Sequence, residues 1–181
     1  METKVDIRKR VLKKRMELSQ KEWEEKSKTI TEKLISHPDF LEAEEIYCYV
    51  DFRKEVSTKQ IIETAWNFHK KVAVPKTAED MKFYYISSWE DVSPGNWGIL
   101  EPITQVRAEG KNVCVIMPGA VFDFEKNRIG YGKGYYDTYL HLHPAYKTVA
   151  LAFELQMLDN IPAEEHDICP QMIITEEHTY V

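Results

Sequence analysis

Short apolar runs recur along the chain: EIYCYV at 45–50, KVAVP at 71–75, NVCVIMPG at 112–119, KTVALAF at 147–153 and MIIT at 172–175. Runs of this length, rich in Val, Ile and aromatic residues and lacking polar alternation, are the signature of strands buried on both faces. The segments between them change period. Thr58 stands as the cap of a stretch in which Ile61, Ile62, Ala65, Trp66 and His69 repeat at helical spacing. Near the start, Ile7, Val11 and Leu18 fall near one face of a basic helix over 4–18. Ser19 with Glu22 three residues on forms a capping-box signature for a second helix, which carries Trp23, Ile30 and Leu34 and ends near Ser36 and Pro38. A further strand is expected at 82–86, an irregular Gly/Pro loop at 92–102 and a helix at 134–142. Strands interleaved with helices predict the α/β class, with a mostly parallel sheet covered on both faces. Ligands then bind at the carboxyl ends of the strands, which directs attention to the loops after Val50, Met117 and Phe153.

A chain of 181 residues fills one core, so residues 1–181 are read as a single domain. The 24 basic and 30 acidic side chains leave a formal charge of −6, which argues against a nucleic-acid coat protein. The basic residues are nonetheless crowded at the start, at Lys4, Arg8, Lys9, Arg10, Lys13, Lys14 and Arg15, as suits an anionic ligand. Cys48, Cys114 and Cys169 form no CxxC pair, so neither a disulfide framework nor a zinc knuckle is indicated. No segment approaches the roughly 18 apolar residues of a membrane span, and the start has no apolar leader. The expectation is a cytoplasmic monomer without membrane or nucleic-acid partners.

Between the third run and the helix near Tyr135 lies RIGYGKGYYD, residues 128–137, with glycine at 130, 132 and 134. Alternating glycines strip side chains from one stretch of backbone, so several N–H groups can turn toward one anion. The helix that follows adds the partial positive charge of its N-terminus. Arg128 and Lys133 bring full charges, a fork and a point charge respectively. Asp137 is four residues beyond Lys133, on one face of a continuous helix, where it can hold magnesium beside phosphate oxygens or simply form an i,i+4 ion pair. The spacing matches neither GxxxxGK[ST] nor GxGxxG. A lone GxG would more often be a turn that lets strand and helix pack closely.

The string PGAVFD, a short spacer, RIGYGKGYYD and then YL resembles the signature of the 5-formyltetrahydrofolate cyclo-ligase family, and the resemblance runs through Lys4, Arg8, Glu55, residues 97–102 and ALAFE at 150–154. It implies an α/β/α sandwich similar to the ribose-phosphate isomerase and coenzyme A transferase group. It also implies ATP bound by Lys4, Arg8, Arg128, Gly130, Tyr131, Gly132, Lys133, Gly134 and Tyr135, with Arg128 and Lys133 catalytic. Magnesium would fall to Asp137 and Asp167, and the folate to Phe52, Glu55, Trp97 and Tyr136. A pterin presents a ring N–H and an exocyclic amine side by side, which one carboxylate can accept together. The implied reaction converts 5-formyltetrahydrofolate to 5,10-methenyltetrahydrofolate through a phosphorylated formyl group, releasing ADP and phosphate. It requires no protein nucleophile.

Three positions depart from the family pattern: Tyr131 where arginine is frequent, Lys126 where glycine is common, and Gln171 where aspartate is frequent. They bear on a phosphate contact, the shape of the spacer turn and the second metal ligand. Two other readings compete, a phosphotransferase acting on another small molecule and a nucleotide-responsive module without catalysis. Intact Arg128, Lys133 and Asp137 weigh against the second.

Overall fold

The computed structural model of the chain describes residues 2–181. It opens with helices α1 (Lys4–Met16), α2 (Gln20–Ile35) and the short α3 (Pro38–Leu41). Strand β1 (Glu45–Cys48), helix α4 (Lys59–Asn67) and strands β2 (Lys71–Thr77) and β3 (Met81–Ile86) follow, then a hairpin of β4 (Val92–Pro94) and β5 (Leu100–Pro102). The rest comprises β6 (Val113–Met117), β7 (Val121–Asp123), β8 (Arg128–Ile129), α5 (Tyr135–Leu142), β9 (Lys147–Leu151), β10 (Met157–Leu158), β11 (Met172–Ile174) and β12 (Thr179–Tyr180).

The main sheet runs β12-β11-β9-β6-β1-β2-β3, with the five inner strands parallel and both edge strands antiparallel. Its strands alternate between two cores. Ile46, Cys48, Val72, Val74, Cys114, Ile116, Val149 and Leu151 meet Ile30 and Leu34 of α2 and Ile61, Ile62 and Ala65 of α4. Tyr47, Ala73, Val113, Val115, Met117, Ala150 and Ile173 face Tyr139 and Leu140 of α5. Helices on both faces give the expected three layers. Ile30 and Leu34 are completely buried, and each such side chain stabilises the fold by about 1.5–3 kcal/mol. From β1 the chain moves through α4 to β2 on one side, whereas β6 pairs on the other. The β1/β6 boundary is thus a topological switch point, with a crevice beyond the strand ends.

Several local expectations change. Residues 92–102 are not an irregular loop, since Val92, Ser93 and Pro94 pair with Pro102, Glu101 and Leu100. The three-residue strands are too short to show alternation, and proline bounds both. Helix α4 stops at Asn67, leaving His69 outside at φ 60°. Thr58 does not cap α4 with its side chain. Its hydroxyl instead donates to Asp51 Oδ1 at 3.0 Å and accepts from Asp51 N–H at 3.2 Å, closing the loop that follows β1.

The spacer between Met117 and the glycine-rich loop is likewise ordered. β7 pairs antiparallel to β8 and parallel to β10, and α1 covers this small sheet with Ile7 and Val11 against Ala120, Val121 and Ile129. Buried Asp123 holds the turn: its carboxylate accepts from Glu125 N, Asn127 N, Asn127 Nδ2 and Ile161 N at 2.9–3.2 Å. Lys126 sits at φ 67°. It therefore adopts the left-handed conformation a glycine would favour, and the turn keeps the glycine-type shape with a lysine in it. Asp123→Ala would leave the buried Ile161 N–H unpaired and untie the partly buried turn, and the expected loss is about 1–3 kcal/mol, read from the denaturant midpoint.

Candidate active site

The crevice at the switch point opens into a cavity of about 1420 Å³. A single small-molecule pocket is about 300–1,000 Å³, so this one has room for two ligands. Every residue that the family resemblance assigned to a ligand lines it: Lys4, Arg8, Phe52, Glu55, Trp97, Arg128, Gly130–Gly134, Tyr135, Tyr136, Asp137 and Asp167.

One wall is the glycine-rich loop. Gly132 and Gly134 have φ of 95° and 64°, which side chains rarely adopt, and Gly134 is the left-handed residue immediately before α5. The left-handed turn corrects one expectation: Lys133 and Asp137 do not share a continuous helix, and they form no ion pair. Lys133 is exposed on the loop instead. Gly134→Ala meets no neighbouring atom within 4 Å, so its cost is backbone strain of about 1–2 kcal/mol, measurable as a lowered unfolding midpoint.

Arg128 lies beneath this loop, largely buried, with Nη1 donating to the Pro118 carbonyl at 3.3 Å and Nη2 3.5 Å from Asp137 Oδ1. Its guanidinium also lies over the Tyr136 ring at 5.7 Å. The fork expected to grip phosphate is therefore turned partly toward the floor of the site, where it orients Asp137. Asp137 Oδ1 also accepts from Ile168 N at 2.8 Å, which brings the strip containing Asp167 alongside.

Helix α1 supplies the second wall. Arg8 Nη1 donates to the Gly130 carbonyl at 3.3 Å, and Lys4 Nζ pairs with Asp167 at 2.8 Å and Glu164 at 3.0 Å. Burial opposes the charge on both Lys4 and Asp167. Their mutual contact outweighs it, raising the ammonium above the usual lysine range and holding the carboxyl below the usual aspartate range. An expected phosphate ligand and an expected metal ligand are thus paired with each other. Asp137 and Asp167 remain an all-oxygen pair of carboxylates beside the glycine-rich loop, the ligand chemistry magnesium takes. Gln171 stands apart from the cavity: its backbone N–H donates to Thr148 Oγ1 at 2.9 Å and its side-chain Oε1 accepts from the Thr148 N–H at 3.4 Å, so the side chain is turned to β9 rather than to Asp167.

The remaining wall carries the acceptor and the aromatic residues. Glu55, in the loop after β1, accepts from Phe52 N–H at 2.8 Å. Burial pushes its carboxyl up to about 7, against the pull of the Arg15 charge and of hydrogen bonds from Tyr131 and the Phe52 N–H. Trp97 occupies the β4–β5 hairpin tip at φ 61° and is 81% exposed. Tyr136 lines the cavity with its ring, while its hydroxyl is buried with no partner among the described residues. The thiols of Cys48 and Cys114 are buried and raised, the latter to about 12, so neither is an available nucleophile.

Two contributors escaped the sequence reading. Gln156 Nε2 donates to the carbonyls of Gly119 and Ala120 at 2.9 and 3.1 Å, bracing the turn after β6. Arg15 is buried on the cavity side of α1. Its signal was present, because Ile7, Val11 and Arg15 are spaced four apart and place a charge in an apolar stripe.

A central, mostly parallel sheet covered by helices, with a cleft and a glycine-rich loop at its switch point, defines an α/β sandwich of the kind that takes its ligands at the carboxyl ends of the strands. The chain matches the model of the 5-formyltetrahydrofolate cyclo-ligase family over residues 1–176, and it belongs to that family. The 5-formyltetrahydrofolate cyclo-ligase of Mus musculus is 30% identical over 179 residues, covering 88% of this chain and 87% of the mouse protein. The solved 5,10-methenyltetrahydrofolate synthetase of Aquifex aeolicus superposes with a TM-score of 0.85 at 29% identity, over 97% of this chain and 91% of that one. That of Mycoplasma pneumoniae, at 24% identity, shares the fold with a TM-score of 0.78 over 96% and 98%. The resemblance carried by the glycine-rich string is borne out along the chain.

Proposed function

We propose that the protein catalyses the ATP- and magnesium-dependent cyclisation of 5-formyltetrahydrofolate to 5,10-methenyltetrahydrofolate, with release of ADP and phosphate. The observation that carries this reading is that one cavity holds two unlike sets of groups. The cationic glycine-rich loop suits a triphosphate, and the carboxylate and aromatic side chains suit a flat heterocycle with adjacent N–H donors. The cavity's volume accommodates both at once.

The formyl oxygen on N5 leaves poorly as it stands. Its attack on the γ-phosphorus breaks the bond to ADP and forms a phosphorylated formyl group. N10 then attacks the activated carbon and loses its proton, and the former formyl oxygen departs within phosphate. Phosphoryl transfer depends on in-line placement and on neutralising charge spread over the phosphate oxygens. Lys133 and the N–H groups of residues 130–134 meet those oxygens, while Arg8 braces the loop from α1 at the Gly130 carbonyl. Lys4 contributes a second charge at the same end. Arg128 supplies charge from below and aims Asp137. Asp137 and Asp167 would hold magnesium, which when bound neutralises phosphate charge. On the opposite wall Glu55 accepts from the pterin donors, and Phe52, Trp97 and Tyr136 bound the ring.

Adding 5-formyltetrahydrofolate, ATP and magnesium should produce the near-ultraviolet absorbance of the methenyl product, and no change would sink the proposal. A different phosphoryl acceptor would instead appear as ATP turnover unaffected by the folate. Lys133→Ala and Asp137→Ala should each reduce kcat by at least about 100-fold, as expected when groups facing the transferred phosphoryl are removed. Glu55→Ala should chiefly raise KM for the folate, by about 10- to 100-fold, the worth of a charged hydrogen bond or two. Unchanged folate affinity in that variant would remove Glu55 from the site.

A further inference from the structure

Arg15 belongs to neither set of residues assigned above, yet it touches the two loops that carry them. Its side chain is 3% exposed. A guanidinium is costly to bury unless its donors are met. Nη1 donates to the Tyr131 hydroxyl at 2.9 Å and Nη2 to the Arg53 carbonyl at 3.0 Å, while Nε is buried with no partner among the described residues. The two acceptors stand on opposite walls of the cleft, Arg53 in the loop with Glu55 and Tyr131 in the glycine-rich loop.

The Glu55 loop hangs on α1, α2 and their junction by its backbone and by one lysine. Lys54 Nζ reaches the carbonyls of Met16 and Leu18, and Trp23 Nε1 donates to the Glu55 carbonyl at 2.7 Å. Arg53 and Lys54 adopt positive φ, 46° and 56°, a conformation these surrounding contacts must hold in place. Arg15 is the member of this set that also reaches the glycine-rich loop.

We propose that Arg15 is a positioning residue that ties the Glu55 loop to the glycine-rich loop through Tyr131 and presents Glu55 to its ligand as a carboxylate. Its bearing on folate rests on Glu55 being the pterin acceptor, the reading proposed above. The groups facing Glu55 are Asp51 of its own loop, Tyr49 at the end of β1, Tyr131 of the glycine-rich loop, Tyr136 of α5 and Arg15 of α1. Arg15 is the cation among them. Burial raises the Glu55 carboxyl to about 7, and the Arg15 charge acts against that rise. Without Arg15 the carboxyl stays protonated to higher pH, and protonation turns one of its two acceptor oxygens into an O–H donor, which mismatches two adjacent N–H donors.

The test is an NMR titration of the full chain carrying ¹³C-carboxyl glutamate, with the Glu55 signal assigned by its loss in Glu55→Gln. The wild-type midpoint is expected near the value of about 7, moving up by about one pH unit or more in Arg15→Met. A smaller upward move is expected in Tyr131→Phe, and a return toward wild type in Arg15→Lys. Binding of 5-formyltetrahydrofolate without ATP, followed by tryptophan fluorescence, should then weaken by about tenfold at pH 6 in Arg15→Met for a one-unit move, with the loss shrinking as pH rises. An unmoved Glu55 midpoint in both Arg15→Met and Tyr131→Phe overturns the proposal, as does a loss of affinity equal at every pH. Tyr131→Phe removes one oxygen from a side chain that is 44% exposed, so it decides the matter even if Arg15→Met does not fold. A midpoint that moves while Glu55→Gln binds folate like wild type removes Glu55 from the folate site and leaves Arg15's hold on Glu55 standing.

Discussion

The parallel pairing of β1 between β2 and β6 is the constraint on which the rest depends. Ile46 registers against Val72 on one side and Cys114 on the other, and a slip by one residue would exchange the two cores, since the side-chain period is two. Because that register is held by full burial on both faces, the ends of β1 and β6 are fixed in space. The two loops that follow, one carrying Glu55 and the other leading to the glycine-rich segment, therefore begin from neighbouring points. The cleft is a consequence of strand order.

Helix α1 completes what the sheet begins. Its apolar stripe packs on the small β7, β8 and β10 sheet, and its polar residues then project into the cleft: Lys4 toward Asp167, Arg8 toward Gly130, and Arg15 between the two loops. The basic start of the chain is thus not a solvated face alone. Its charges are spaced one turn and then two turns apart along one helix face, so one docking event places all three. The small sheet matters for the same reason. Asp123 ties its turn, Gln156 braces the preceding carbonyls, and the glycine-rich loop leaves β8 in a defined direction.

Much of the fold was legible because each main strand is an uninterrupted apolar run, and the α2 capping box was legible because Ser19 and Glu22 are local partners. The β4–β5 hairpin and the small sheet were not. Their strands are two or three residues long, below the length at which periodicity carries information, and β10 meets β7 from 34 or more residues away. Thr58 misled for a related reason: its capping geometry is local, but Asp51, across the loop, competes for the same hydroxyl. The continuous helix face supposed for Lys133 and Asp137 failed at Gly134, whose left-handed conformation makes the helix begin at Tyr135, past the lysine.

By itself the sequence determined the class of fold, the family and the roster of cleft residues, because burial patterns and a dense glycine-rich motif are encoded in adjacent positions. What only the tertiary structure decided is how those residues divide the work. The pairing of Lys4 with Asp167, the turning of Arg128 toward Asp137, the turning of Gln171 to Thr148 and the bridge from Arg15 to Tyr131 all join residues that no local periodicity pairs. Such contacts follow from where packed elements bring their side chains, and from the need of each buried charge to find a partner once water is excluded.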